Sequence, residues 1–238
     1  MINCVFIFLL LGILSLPMQA STIPSSPRSE QAIARVEPSL RHQLLQKSLH
    51  YGAPVFIRIF KQSSELELCL ESESGEYQHF KTYEICHFSG DLGPKLKEGD
   101  RQSPEGFYFV NAGRLNPWSR FHLSFNLGYP NQYDRYHQRT GSALMVHGNC
   151  VSIGCYAMTD PLMEEIYALV NAALHQGQAV FRVHAFPFRL DTTTLDKYRQ
   201  HRWFSFWQNL KEGYDHFEQY RRPPNTEVKA GRYIFKRL

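Results

Sequence analysis

Stretches in which apolar and polar positions alternate are interspersed along the chain with stretches in which apolar residues recur at helical spacing. Val55, Ile57 and Ile59 stand at every second position, and Leu66, Leu68 and Leu70 alternate with Glu65, Glu67 and Glu71. A period of two puts such residues on one face of a strand. Residues 54–90, punctuated by Ser-Gly pairs, therefore predict a strand series with turns. Further strands are expected at Phe107 to Val110, at "SALMVHG" (142–148) and at "AVFRVHAFPF" (179–188). Leu40, Leu44, Leu45 and Leu49 follow helical spacing up to a stop at Gly52. The strongest helix is "DPLMEEIYALVNAALHQGQ", with Asp160 as cap, Pro161 in the first turn and Gly177 as the end. A second helical region, 194–220, carries Trp203, Phe204, Trp207, Leu210, Tyr214 and Phe217, of which Trp203, Trp207 and Phe217 read as core residues, and a short strand follows. Residues 21–38 are rich in Ser and Pro and predict a linker. Residues 111–141 are aromatic, rich in turn residues and too long for a plain connector, which suggests a functional loop.

Composition narrows this little. The 238 residues, 43% hydrophobic and 20% charged, suit a globular chain with one substantial core and exclude a disordered one. The net charge of +4 selects no partner, and nothing points to nucleic acid. The N-terminus says more. An apolar run from Val5 to Leu16 ends near "PMQA", which predicts a signal peptide over 1–20 and export to the periplasm. No Lys or Arg precedes the run, so an uncleaved anchor is the alternative. Export places Cys69, Cys86, Cys150 and Cys155 in an oxidising compartment, with a connectivity that sequence does not give.

The densest chemistry lies in "ALMVHGNCVSIGCYAMTD" (143–160). Cys155 follows a Gly-containing turn shortly before a helix, and His147 ends a strand eight positions earlier. A sulfur exposed on such a turn, with backbone N–H groups converging nearby and an imidazole to take the proton, meets the needs of acyl transfer. A Cys150–Cys155 disulfide and a structural turn with a buried thiol compete with that reading. The spacing fits no common zinc pattern. Cys–His acyl transfer needs neither metal nor cofactor, and none is expected.

"MVHGNCVSIGC" resembles the signature of the YkuD-type L,D-transpeptidase catalytic domain, His-Gly at a strand end followed by Ser-x-Gly-Cys. "SPEGFYFV" resembles the strand that precedes it in that family. "LNPWSRFHLSFNLGYPNQYDR" and "FWQNLKEGYDHFEQYRRPP" extend the likeness to the YafK subgroup, over about residue 40 to the C-terminus. The resemblance implies an α+β, mainly β domain, a mixed sandwich or barrel with flanking helices, over 39–190. A helical extension over 191–238 would pack on it. It implies action on the meso-diaminopimelate stem peptide of peptidoglycan, with Cys155 as nucleophile and His147 as base. Gly148 would shape the strand end and orient the ring through its carbonyl. Ser152, Gly154 and Cys155 would build the turn, with the Gly154 and Cys155 N–H groups as the oxyanion hole. The chain departs from most members in its short insertion, Asn149 to Val151, and in carrying Ala157 where many have Arg. The YafK subgroup shares the compact form and is associated with hydrolysis that frees an outer-membrane lipoprotein from the wall. Either transfer to an amine or that hydrolysis is expected, the lipoprotein then being a partner.

His122, Tyr129, Asn131 and Asp134 are candidate groove residues from the long loop, and Arg114, Arg120 and Arg135 candidate carboxylate contacts or a solvated face. Cys86 and Cys69 are a candidate cross-strand pair. Two rivals stand beside the leading reading. One is a papain-like wall endopeptidase whose base is His184. The other is a catalytically silent wall-binding module with a Cys150–Cys155 disulfide.

Overall fold

The computed structural model describes residues 22–236; the expected signal peptide lies outside them. In chain order the elements are α1 (Pro27–Leu45), β1 (Val55–Phe60), β2 (Glu65–Glu71), β3 (Tyr77–Glu84), β4 (His87–Phe88), β5 (Gly106–Asn111), β6 (Leu115–Asn116), β7 (Ser124–Asn126), α2 (Gln132–Tyr136), β8 (Met145–His147), β9 (Tyr156–Ala157), α3 (Asp160–His175), β10 (Val180–Phe186), α4 (Thr192–Asp196), α5 (Phe204–Tyr220), β11 (Asn225–Lys229) and β12 (Arg232–Lys236). One sheet has the order β3-β2-β1-β10-β5 and the second β4-β9-β8-β7-β6; β11 and β12 form a separate pair. The architecture is α+β and mainly sheet, as the patterning implies. Neither five-stranded sheet closes into a barrel.

All six residues of β1 are buried, because both faces of the first sheet are covered. Val55, Ile57 and Ile59 join Leu66, Leu68 and Leu70 in the main core, with Phe125, Val146 and Tyr156 of the second sheet and the apolar face of α3. Phe60, with Phe107 and Phe186, points the other way into an aromatic cluster with Trp207, Leu210 and Tyr214 of α5. The glutamates of β2 are therefore not a solvated stripe. Glu67 is buried and bonds Arg58 at 2.6 Å, while Arg58 also pairs with Glu218 of α5. A buried carboxylate needs such partners. Deeper still, Lys61 and Glu105 are fully buried and 3.1 Å apart. Lys61 Nζ also donates to the carbonyls of Asp91, Gly93 and Ser103, and Trp207 Nε1 donates to Glu105 at 2.8 Å. This network pins the 91–105 loop onto the first sheet.

The stretch read as a linker is not one. From Pro27 it is the first turn of α1, opened by a capping box in which Ser26 and Ser29 each accept from the other's backbone N–H. The helix buries Ala32, Leu40 and Leu44 and packs on α3. It ends at Leu45 rather than running on toward Gly52. Ser and Pro there are helix-start chemistry, which composition alone misreads as a linker. The expected loop over 111–141 also holds structure of its own, namely β6, β7 and α2.

Candidate active site

His147 and Cys155 reach the site from neighbouring parallel strands. The register pairs Val146 with Tyr156 and His147 with Ala157. Val146 and Tyr156 face the core. Residues two apart share a face, so His147 lies on the opposite side from that core, and the same alternation carried back one residue puts Cys155 on the His147 side. The Cys155 sulfur accepts from Met145 N–H at 3.4 Å, and its thiol faces the Ala143 carbonyl at 3.6 Å. The resting thiol proton is thus held by a backbone carbonyl rather than by the imidazole.

His147 is held tightly. Its Nδ1 lies 2.6 Å from the Gly148 carbonyl. A carbonyl only accepts, so Nδ1 carries the proton and Nε2 is left with its lone pair. The Phe121 ring covers the imidazole at 4.6 Å between centroids. Gly148 is required by close approach: a Cβ there would stand 2.4 Å from Asp160 Oδ1 and 3.0 Å from the His122 Cβ. Asp160 does not cap α3 as the sequence suggests. Thr159 takes the N-cap position, and the Asp160 carboxylate accepts from Asn149 N–H at 2.7 Å, fixing the turn after the histidine.

Ser152 builds the turn before the cysteine. Its hydroxyl donates to the Cys155 carbonyl at 2.8 Å and accepts from Gly154 N–H at 3.1 Å. Ser103, which sequence reading did not single out, donates to the same carbonyl at 2.9 Å. The Gly154 N–H is therefore engaged in the turn, and Cys155 N–H is the remaining oxyanion candidate of the pair. Gly154 has φ +143, a conformation that favours glycine.

The cysteines pair as no sequence reading had them. Cys86 is bonded to Cys150, and Cys69 and Cys155 are free. This overturns both the Cys150–Cys155 disulfide, and with it the basis of the silent module, and the Cys69–Cys86 pair. Sequence spacing says nothing of the β4–β9 pairing that sets Cys86 beside the loop between His147 and Cys155.

His184 sits in the first sheet, edge-on to Phe56 and Phe107 at 4.6 Å each, with neither ring nitrogen hydrogen-bonded among the described residues. Burial drives its pKa well below the ordinary value, helped by Arg182, Arg58 and His216. It is a neutral core residue, and the papain-like rival loses its base. His184→Leu is expected to keep full activity and to match or exceed wild-type stability at neutral pH, since no hydrogen bond is lost. The depressed pKa also gives a sign. Below about pH 6.5 the unfolded histidine takes a proton that the folded one refuses, so wild-type stability falls with acid. Urea unfolding of His184→Leu between pH 7 and 5 should show a shallower acid loss; an equal slope refutes this.

Other candidates separate. Asp134 is fully buried in an ion pair with Arg139 at 2.9 Å and caps α2 through Asn131. Asp134 is therefore a structural rather than a groove residue, whereas Asn131, whose side chain donates to the Phe107 carbonyl at 2.9 Å, is part-buried and lines a cavity of 240 Å³. His122 bonds Glu164 of α3 at 2.9 Å, and Glu164 in turn holds Arg35 of α1 at 2.8 Å. Tyr129 donates to the Lys95 carbonyl at 3.1 Å and lines a groove of 820 Å³ with Arg114, Trp118, Arg135, Ala143 and Met145. Ala143 and Met145 are the residues whose backbone touches the sulfur. The N-terminal helix supports this region. Ser26 Oγ donates to the Pro117 carbonyl at 2.9 Å, and Arg28 donates to Ser119 and His122 carbonyls at 2.7 and 2.9 Å, holding the loop that carries Phe121. No cluster able to hold a metal occurs among the described residues.

The L,D-transpeptidase catalytic domain model matches residues 78–184, which include every strand of the second sheet. The YafK proteins of Escherichia coli strains K12 and O157:H7 are each 46% identical over 183 residues, 77% of this chain and 74% of theirs. The chain belongs to the L,D-transpeptidase (YkuD) family. Among solved structures, the helical cell shape determining protein Pgp2 of Campylobacter jejuni aligns over 80% of each chain, with TM-score 0.45 and 16% identity. Membership makes this L,D-transpeptidase a peptidoglycan enzyme. No helix of the described residues is long and apolar enough to cross a membrane.

In this L,D-transpeptidase the two titrating groups rest uncharged. Burial raises the Cys155 pKa, against the opposing pull of Met145 N–H and the Lys95 charge. Burial lowers that of His147, against the Gly148 carbonyl. Thiol and neutral imidazole, rather than a preformed thiolate–imidazolium pair, follow at neutral pH. Iodoacetamide should alkylate Cys155 slowly at pH 7 and steadily faster as pH rises beyond the ordinary thiol range, with no acidic plateau. Cys69, whose thiol burial pushes up to about 12, should react only after unfolding. A rate plateau between pH 5 and 7 would refute the neutral resting pair.

Proposed function

We propose that the chain is an exported cysteine enzyme that acts on meso-diaminopimelate stem peptides of peptidoglycan through a thioester on Cys155. The observation that carries this reading is the shared face of His147 and Cys155 with the histidine tautomer fixed by Gly148. His147 Nε2 takes the thiol proton as the sulfur attacks the amide carbonyl. Cys155 N–H lies beside the developing oxyanion. The C–N bond then breaks, the imidazolium returns its proton to the leaving amine, and the acyl group stays on sulfur. Attack by an amine completes transfer; attack by water completes hydrolysis and restores the thiol. The likeness to YafK favours hydrolysis, with a wall-attached outer-membrane lipoprotein released.

The test is incubation of the oxidised protein with sacculi bearing attached lipoprotein. Intact mass should show an acyl adduct on Cys155. Fragment masses should show stem peptide ending in a free diaminopimelate carboxylate and lipoprotein released with a free amine for hydrolysis, or a new cross-link for transfer. Neither adduct nor product from active-folded protein sinks the proposal.

A further inference from the structure

We propose that Arg114 and Arg135 form a carboxylate-binding subsite at one end of the groove whose other end is the backbone around Cys155. The subsite rests on the stem-peptide reading and deepens it. Both guanidinium groups line the 820 Å³ groove and also a second cavity of 240 Å³ beyond it. No acidic residue lines either space among the described residues. Neither arginine is ion-paired among the described residues. Arg114 Nη1 donates only to the carbonyls of Phe109 and Leu127, at 2.6 and 3.0 Å, and Arg135 to that of Pro130.

The placement of Arg114 is specific. Its guanidinium lies across Gly128, where a Cβ would fall 1.5 Å from Nη1, and Gly128 has φ +80. Any other residue there would displace the arginine. Burial lowers the Arg114 pKa and the Arg135 charge lowers it further, so the two cations are within electrostatic reach of each other. Two like charges in one wall, each with free N–H donors and no countercharge, are unfavourable until an anion sits between them. The planar fork of guanidinium matches a carboxylate.

Chemistry names the anion. Diaminopimelate carries two carboxyl groups, and only one is acylated onto sulfur. The other remains charged a few bonds from the reacting carbonyl. Asn116, Asn126 and the 64% exposed Trp118 along the same groove suit the intervening peptide. The subsite selects for a free acid and against its amide.

The experiment uses Cys155→Ala protein and calorimetric binding of a stem tetrapeptide, either as the free acid or with that second diaminopimelate carboxyl converted to carboxamide. The free acid should bind at least about tenfold tighter, the effect expected of one charge-assisted hydrogen bond. Arg135→Ala should remove that preference, weakening the acid about tenfold and leaving the amide nearly unchanged. Arg114→Lys, which keeps charge and loses the fork, should fall between. Equal weakening of both peptides, no weakening of either, or no binding of the free acid overturns the subsite. Acylation of wild-type Cys155 by the same peptide, read in parallel by intact mass, shows whether the stem-peptide reading stands without it.

Discussion

His147→Ala is expected to slow acylation of Cys155 by about 10²- to 10⁴-fold, and Cys155→Ala to abolish it. The reason is the neutral resting pair. With the thiol pKa raised and the imidazole pKa lowered by burial, little thiolate exists at neutral pH. On the proposed mechanism the proton leaves as the sulfur attacks, and His147 Nε2, left unprotonated by the Nδ1 bond to the Gly148 carbonyl, takes it. The loss in His147→Ala should shrink as pH rises past 9, because hydroxide then makes the thiolate that the histidine no longer assists. Stopped-flow mass analysis of adduct formation from pH 6 to 10 measures this. An alanine variant within threefold of wild type at pH 7 would remove His147 from the mechanism.

The second large effect concerns the Cys86–Cys150 bond. Asn149 and Cys150 both adopt left-handed backbone, φ 67 and 47, between the His-Gly strand end and the Ser-x-Gly-Cys turn. Two such non-glycine residues cost about 1–2 kcal/mol each. They are held by Asp160 on Asn149 N–H, by Cys150 N–H on the Met158 carbonyl at 3.1 Å, and by the disulfide. The bond closes a loop of 64 residues, which on the chain-entropy model stabilises the fold by about 4 kcal/mol. Cys86→Ser with Cys150→Ser should lose stability of that order in urea. Acylation should also fall at temperatures where the variant remains folded, because the loop between base and nucleophile is freed. An unchanged unfolding midpoint would show that the cross-link merely records a geometry fixed by other contacts. Activity retained at wild-type level in folded variant would separate the disulfide from the site.

Much of the site is legible in one dimension, and its support is not. His147, Gly148, Ser152, Gly154 and Cys155 fall within nine residues, so local chemistry and a short turn suffice to group them. Their partners come from far along the chain. Ser103 reaches Cys155 across 52 positions, and Glu164 reaches His122 across 42. No periodicity encodes such pairings. The linker reading failed because Ser26 and Ser29 signal a helix start only through cap geometry, which residue composition does not carry.

The alternating apolar residues of β1 and β2 and the single long stripe of α3 determined, by themselves, that sheet and helix would share one core. The period of side-chain direction is a local property of the backbone, and burial follows from it. Tertiary structure alone decided which cysteines join, which histidine stays neutral in the core and which arginines face an empty wall. Those outcomes depend on strand order and on α1 and α5 closing over the sheets, and free energies of pairing between distant segments set them, not any local preference.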